Sequence, residues 1–309
     1  MTAACEAIGI DLGGTHLRGA RMMRDRNGVW ERGASERVLW RSPGSTDPAE
    51  ALRALEASLA ALLPRLGATA SAPVGFAVAG QLDAAGRVMR NAPNMQWRDV
   101  PLAEAIEGWI DRPVRLINDV KAAWLGEWHT GAGRGCEGPM VAVFWGTGIG
   151  GAFGEAGRVW RGAGGNAGEV GHVKVPGSSA LCGCGEVGCI EALVGGRALE
   201  RALSGMRWGA LGAFDAALAG GEEDARAQAE RWGEPLACVL AGMCTVVSPE
   251  RLVVGGGVVG HAPALAEWVV GRTRELTLAV TRSTLRVVKA EQGDWAGVFG
   301  AAIDAASER

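Results

Sequence analysis

The sequence predicts an α/β protein of two domains, and three observations carry that expectation. Its 309 residues exceed one ordinary core and suit two lobes of ~150 residues each. Strand-like runs alternate with segments of helical periodicity along the whole chain. Three of the strand-like runs empty into glycines, after Asp11, after Trp145 and after Val254.

In chain order, residues 7–12 read as a strand ending in Gly13 and Gly14, with 17–22 returning as the second strand of a hairpin. Residues 48–66 set Leu52, Leu55, Leu59, Leu62, Leu63 and Leu66 on one apolar stripe, which predicts a helix. A buried strand at 74–79, a short helix at 102–109 and a strand at 113–117 follow. Asn118-Asp119 then opens a helix that continues to 128. Residues 140–145 form an apolar strand before Gly146-Thr147-Gly148-Ile149-Gly150-Gly151. From 154 to 168 glycine is too frequent for a helix, so hairpins and loops are expected. Beyond the cysteine cluster, helices are expected at 191–203 and 222–247, the second broken or bent near Pro235. A strand at 251–254 precedes Gly255-Gly256-Gly257, and 262–275 and 294–306 read as helices.

Composition narrows the function. Hydrophobic residues make up 48% and charged residues 21%, close to globular averages, so the whole chain is expected to fold. The net charge of −3 with both signs interspersed argues against a nucleic-acid partner and against an anionic membrane surface. The longest uncharged stretches, 138–154 and 235–249, fall short of a spanning helix. Residues 1–6 lack the basic and apolar regions of a signal peptide, so the expected location is the cytoplasm.

Glycine turns after strands let backbone N–H groups approach phosphate oxygens, and a carboxylate beside one can hold Mg²⁺. That chemistry suits a nucleoside triphosphate. Any single turn reads equally well as a tight hairpin; three together, one carrying Asp11, favour phosphate binding. Gly146–Gly151 and Gly255–Gly260 also match G-x-G-x-x-G, the spelling of a nicotinamide or flavin oxidoreductase. The first lacks a following helix. The second lacks the βαβ unit with an acid about 20 residues on. An oxidoreductase is therefore the least favoured reading.

Of seven cysteines, three lie within eight residues, at 182, 184 and 189. With His172 they make three thiolates and an imidazole, a complete tetrahedral set for structural Zn²⁺. Buried inert cysteines or a redox pair are the alternatives. Cys238 and Cys244 are assigned to the core. Glu169 and Glu191 flank the cluster, where a metal-fixed loop would hold two carboxylates that can accept hydrogen bonds from sugar hydroxyls; the plainer alternative is that both are solvated. One imidazole nitrogen of His172 can bind zinc while the other faces a ligand.

These motifs resemble the ROK family of sugar kinases and sugar-responsive repressors, within the sugar-kinase and actin-like ATPase superfamily. The likeness covers nearly the whole chain. Asp11-Leu12-Gly13-Gly14-Thr15 is similar to the family's first phosphate loop, Gly146 to Gly151 to its second, and the stretch with Gly256 and Gly257 to its adenosine loop. Gly168-Glu169-Val170-Gly171-His172 and the run from Cys182 to Glu191 resemble its two signature segments. The resemblance implies two ribonuclease-H-like lobes with an active-site cleft between them: residues 1–117, with the C-terminal helix 294–309 packing back on them, and 118–293 carrying the zinc loop. It further implies ATP, Mg²⁺ and structural Zn²⁺ as cofactors and a homodimer or homotetramer.

By match to family positions, Asn94, Asn118, Asp119, Glu169, His172 and Glu191 hold the sugar and Asp119 is the catalytic base. Asp11, Gly13, Gly14, Thr15, Gly146, Thr147, Gly148, Gly256 and Gly257 hold the nucleotide, and His172, Cys182, Cys184 and Cys189 hold the zinc. Asp119 could instead serve only as a helix N-cap. The segment 92–97 resembles the glucokinase branch, so glucose is the expected acceptor, with N-acetylmannosamine, N-acetylglucosamine, fructose and mannose as alternatives. Met95 departs from a usual Leu, and Val194-Gly195-Gly196 replaces a stretch that commonly contains Ser. A silent sugar sensor is the alternative of another class. The family's repressors carry a winged helix-turn-helix before the first glycine loop, and only ten residues precede Asp11 here.

Overall fold

The computed structural model describes residues 5–14, 16–40 and 48–307, with the backbone alone at Asn94. Thr15 of the first glycine turn lies outside the described residues, as does the Asn94 side chain. Strand β1 (Cys5–Leu12) is followed by β2 (His16–Arg24), β3 (Trp30–Leu39), α1 (Pro48–Leu62) and β4 (Val74–Val78). Three short strands, β5 (Gln81–Leu82), β6 (Met89–Ala92) and β7 (Trp97–Val100), lead to α2 (Leu102–Ile110), β8 (Val114–Asn118) and α3 (Asp119–Thr130). Next come β9 (Met140–Trp145), β10 (Ile149–Glu155), β11 (Arg158–Val159), α4 (Ile190–Val194), α5 (Gly196–Leu203), α6 (Leu211–Ala219) and α7 (Glu223–Val247). The chain closes with β12 (Arg251–Gly255), α8 (Gly257–His261), α9 (Pro263–Leu276), α10 (Ala279–Arg282), β13 (Arg286–Lys289) and α11 (Ala296–Ala306).

Of the described residues, those within 1–134, 157–167 and 291–309 form one compact unit, and those within 135–156 and 168–290 form a second. The boundary therefore does not fall before residue 118, because α3 belongs to the first unit. Helix α11 explains this. It packs closely on α3 and on strands β1 and β4, and glycine stands at each close approach. A Cβ on Gly126 of α3 would strike the carbonyl of Ala296, and one on Gly300 would strike that of Ala122.

The first unit's sheet runs β3-β2-β1-β4-β8, with β1, β2 and β3 antiparallel neighbours and β4 and β8 parallel to β1. In the second unit the strands run β10-β9-β12-β13, with β10 antiparallel to β9 and the other two parallel to it. Each sheet thus sets a glycine turn between its first strand and an antiparallel neighbour. Each unit has its own core, around Ile10, Leu55 and Phe76 in the first and Val143, Phe214 and Leu236 in the second. The stripe of α1 buries Ala51, Leu55, Leu59 and Leu62, the i, i+4 face expected of a helix on a sheet.

Two details refine the expectation. Helix α7 is not broken at Pro235 but continues through it. Proline removes one backbone donor there, and the apolar face of Ala229, Trp232, Leu236, Leu240 and Cys244 holds the helix on both sides. Cys238 is exposed while Cys244 is buried; six residues turn a helix through about 240°, so one core face cannot take both.

Candidate active site

Within the first unit, β8 ends and α3 begins at Asn118-Asp119. Asn118 is the N-cap: its side-chain oxygen accepts from Val120 N at 3.1 Å and Lys121 N at 3.2 Å, satisfying donors that a helix start leaves open. Its amide donates to Gly80 O at 3.3 Å and to Asp119 Oδ1 at 3.0 Å. Asp119 Oδ1 also accepts from Val120 N at 2.9 Å. The carboxylate of Asp119 is thereby oriented at a helix N-terminus while its neighbour does the capping.

At the first glycine turn, Asp11 pairs with Arg18 across the hairpin, and Arg18 Nη1 donates to Asp11 Oδ2 at 2.9 Å. The other arm of the guanidinium, Nη2, donates to Asp294 Oδ2 at 2.9 Å. Burial raises the Asp11 carboxyl above its ordinary value, opposed by the Arg18 cation and reinforced by the Asp294 charge. Two carboxylates thus share one cation. Sequence reasoning passed over Arg18 and Asp294. The hairpin register could have revealed Arg18, since strands predicted to end at 12 and resume at 17 set residue 18 opposite residue 11; Asp294, 276 residues away from Arg18, left no such signal.

In the second unit, Gly146-Thr147-Gly148 is the turn of the β9–β10 hairpin, closed by Gly146 N donating to Gly148 O at 2.9 Å. A strand follows this G-x-G-x-x-G match, not the helix that a dinucleotide site needs. The turn is tied to the start of α5, where Gly196 N donates to Gly146 O at 2.8 Å and Arg197 N to Thr147 O at 3.0 Å. Glu191 Oε2 accepts from Ile149 N at 2.8 Å, and a Cβ on Gly148 would strike that same oxygen. At the third turn, Gly256 has φ of 100°, a conformation that favours glycine. Gly257 begins α8 directly after β12.

The cysteine cluster is assembled as a donor set. One ligand atom from each of His172, Cys182, Cys184 and Cys189 lies within 4.8 Å of every other. His172 Nδ1 is 3.7 Å from Cys182 Sγ, and Cys184 Sγ is 3.8 Å from Cys189 Sγ. A tetrahedron with zinc–sulfur bonds of about 2.3 Å has edges of about 3.8 Å, so the spacing fits the ion. Burial, with the neighbouring thiols, pushes the Cys182 thiol up to about 12. Burial would raise Cys184 too, but hydrogen bonds from the Glu186 N–H and the neighbouring thiols, with the Lys174 charge, bring it below the ordinary thiol value. A divalent cation at the centre would hold all three as thiolates. The imidazole turns its other nitrogen outward, Nε2 lying 3.8 Å from Glu169 Oε2. Glu191 Oε1 is 3.9 Å from Cys182 Sγ. The structure therefore brings Glu169, His172 and Glu191 together around the cluster, and Glu169 and Glu191 are half-buried, not freely solvated.

The ROK family model matches residues 7–308. This chain belongs to the ROK family. A glucokinase of Streptomyces coelicolor is 30% identical over 96% of each chain, and an N-acetylmannosamine kinase of Escherichia fergusonii is 31% identical over 98% of this chain and 99% of its own length. Among solved structures, a ROK family glucokinase from Streptomyces griseus in complex with glucose and AMPPNP superposes with a TM-score of 0.74 at 28% identity, covering 97% of this chain and 99% of that one. The fold is accordingly that of the ROK sugar kinases, two ribonuclease-H-like α/β units of the actin-like ATPase type. Among the described residues no helix is long and apolar enough to cross a membrane.

Proposed function

We propose that this ROK-family chain is an ATP-dependent hexose kinase whose preferred acceptor is glucose, giving glucose 6-phosphate. One observation carries the reading: Asn118 caps α3, so the Asp119 carboxylate is oriented at the helix start without being needed as the cap. Asp119 takes the proton of the sugar 6-hydroxyl as that oxygen bonds to the γ-phosphorus of ATP. The bond from the γ-phosphorus to the bridging oxygen breaks, and ADP leaves. Most of the rate in such a transfer comes from alignment and charge neutralisation.

Asn94, Asn118, Glu169, His172 and Glu191 hold the sugar in this proposal. The glycine turns at Gly13 and Gly14, at Gly146 to Gly148 and at Gly256 and Gly257 hold the nucleotide, with Thr15 beside the first. Asp11 suits Mg²⁺, because it and Asp294 share a single cation in Arg18; the ion would neutralise charge on the phosphates. His172, Cys182, Cys184 and Cys189 suit a structural Zn²⁺ that keeps Glu169, His172 and Glu191 in register. We place the reaction in the cytoplasm and assign the protein as a homodimer or homotetramer.

A second acceptor is favoured by the end-to-end match to an N-acetylmannosamine kinase. A coupled ADP-release assay over a panel of hexoses and N-acetylated amino sugars separates the two. Glucose should give the highest kcat/KM. A higher value for N-acetylmannosamine or N-acetylglucosamine overturns the assignment to glucose, and the absence of ADP release with every sugar leaves a sensor.

A further inference from the structure

We propose that Lys174 is the counter-charge of the zinc cluster, bonded to the sulfur of Cys189 and slowing loss of the metal. The inference rests on the zinc assignment above and adds a residue that no motif contains. The backbone sets the pair: Lys174 and Cys189 face each other in an antiparallel bridge. Val175 N donates to Gly188 O at 2.8 Å and Ile190 N to Val173 O at 2.9 Å on either side of it. Across this bridge Lys174 Nζ donates to Cys189 Sγ at 3.3 Å and to Glu186 Oε2 at 3.4 Å.

The charge count explains why an ammonium belongs there. Three thiolates, a neutral imidazole and Zn²⁺ sum to one negative charge. Cys189 is fully buried, where water screens that charge least. An N⁺–H donor offsets the net charge of the cluster and occupies a lone pair of the sulfur, which disfavours attack on it by an electrophile and holds the sulfur in place on the metal. Partners of metal ligands commonly change metal affinity by ~10- to 100-fold. Lys174 is half exposed, so the lower end of that range applies.

The test uses the full-length protein, its Lys174→Gln and Lys174→Arg variants, and Glu186→Gln, which leaves the ammonium to the sulfur alone. Elemental analysis gives zinc per chain, 4-(2-pyridylazo)resorcinol in excess reports the rate of zinc transfer, and iodoacetamide labelling reports thiolate reactivity. Lys174→Gln should release zinc roughly tenfold faster and be alkylated faster, whereas Lys174→Arg keeps the charge and Glu186→Gln should not speed release. Equal release and labelling rates in the parent and Lys174→Gln, with zinc present in both, overturn the role of Lys174 alone. A parent protein without zinc overturns the zinc assignment and this inference together.

Discussion

Asp119 and the Glu169–Glu191 region, both assigned to the sugar in the proposed function, are carboxylates ordered by different means. Asp119 stands where a strand becomes a helix, and its orientation follows from backbone hydrogen bonds and the Asn118 cap. Glu169 and Glu191 stand at either end of a stretch that has almost no regular structure apart from a single 3-10 turn at Val170–His172 and two isolated bridges. Four convergent side chains draw that stretch together, and Glu191, in the first turn of α4, also accepts from Ile149 N. Regular structure holds a catalytic group through many small cooperative terms, whereas a donor set concentrates the same task in a few residues. The first arrangement should therefore lose function only when the acid itself is changed, and the second whenever one ligand is lost.

The largest effect should come from Asp119→Asn, which keeps the shape and the Oδ1 contacts but cannot take a proton. Loss of a positioned base costs ~10² to 10⁴ in kcat, with glucose binding and thermal stability near the parent values. Near-parent turnover would make Asp119 a structural residue; loss of glucose binding along with the rate would make it chiefly a positioning one. Next in size, Cys184→Ser or removal of zinc by a chelator should weaken glucose binding by roughly 10- to 100-fold while ATP affinity changes little. Isothermal titration of both ligands checks this, and unchanged glucose affinity in the metal-free protein would abolish the contrast between the regions.

A smaller effect sharpens it. Gly148→Ala would push a methyl group into Glu191 Oε2 and break its bond to Ile149 N. A charge-assisted hydrogen bond lost in this way predicts a roughly tenfold rise in the KM for glucose with zinc content intact, and a normal KM would remove Glu191 from the sugar site. The smallest effect lies away from both regions. Glu107 accepts from Arg87 Nη1 at 2.7 Å and from Val114 N at 3.0 Å. The Arg87 hydrogen bonds, against some desolvation, hold its carboxyl below the usual 4.5. Its contribution is present above about pH 4.5 and lost as pH falls through the lowered value. Glu107→Gln should thus cost only about 1 kcal/mol at neutral pH, since Arg87 is partly solvated, and the difference in Tm from the parent should shrink below pH 4.5. A difference that grows on acidification would contradict the sign.

Much of the fold was legible because its signals are local. The leucine stripe of α1, the apolar runs of β4 and β9 and the glycine turn after Asp11 each follow from residues within one turn or one hairpin. The cysteine spacing was legible for the same reason, and Glu169, His172 and Glu191 stood in short segments that the fold gathers around the cluster. Strand β3, with its exposed and mixed face, and the short strands β5 to β7 carried too little periodicity to be read. Strand β13, four residues with no fully buried side chain, was hidden in the same way.

By itself, the sequence determined the class of fold, the two signature segments and the chemical identity of the donor set. Tertiary structure alone decided that α3 belongs with α11, that Asp294 shares Arg18 with Asp11, and that Lys174 meets Cys189. The reason is sequence distance. Periodicity and turn chemistry act over a few residues, while these pairings depend on which surfaces approach after the chain has folded, and on glycines such as Gly126 and Gly300 that let backbones come close.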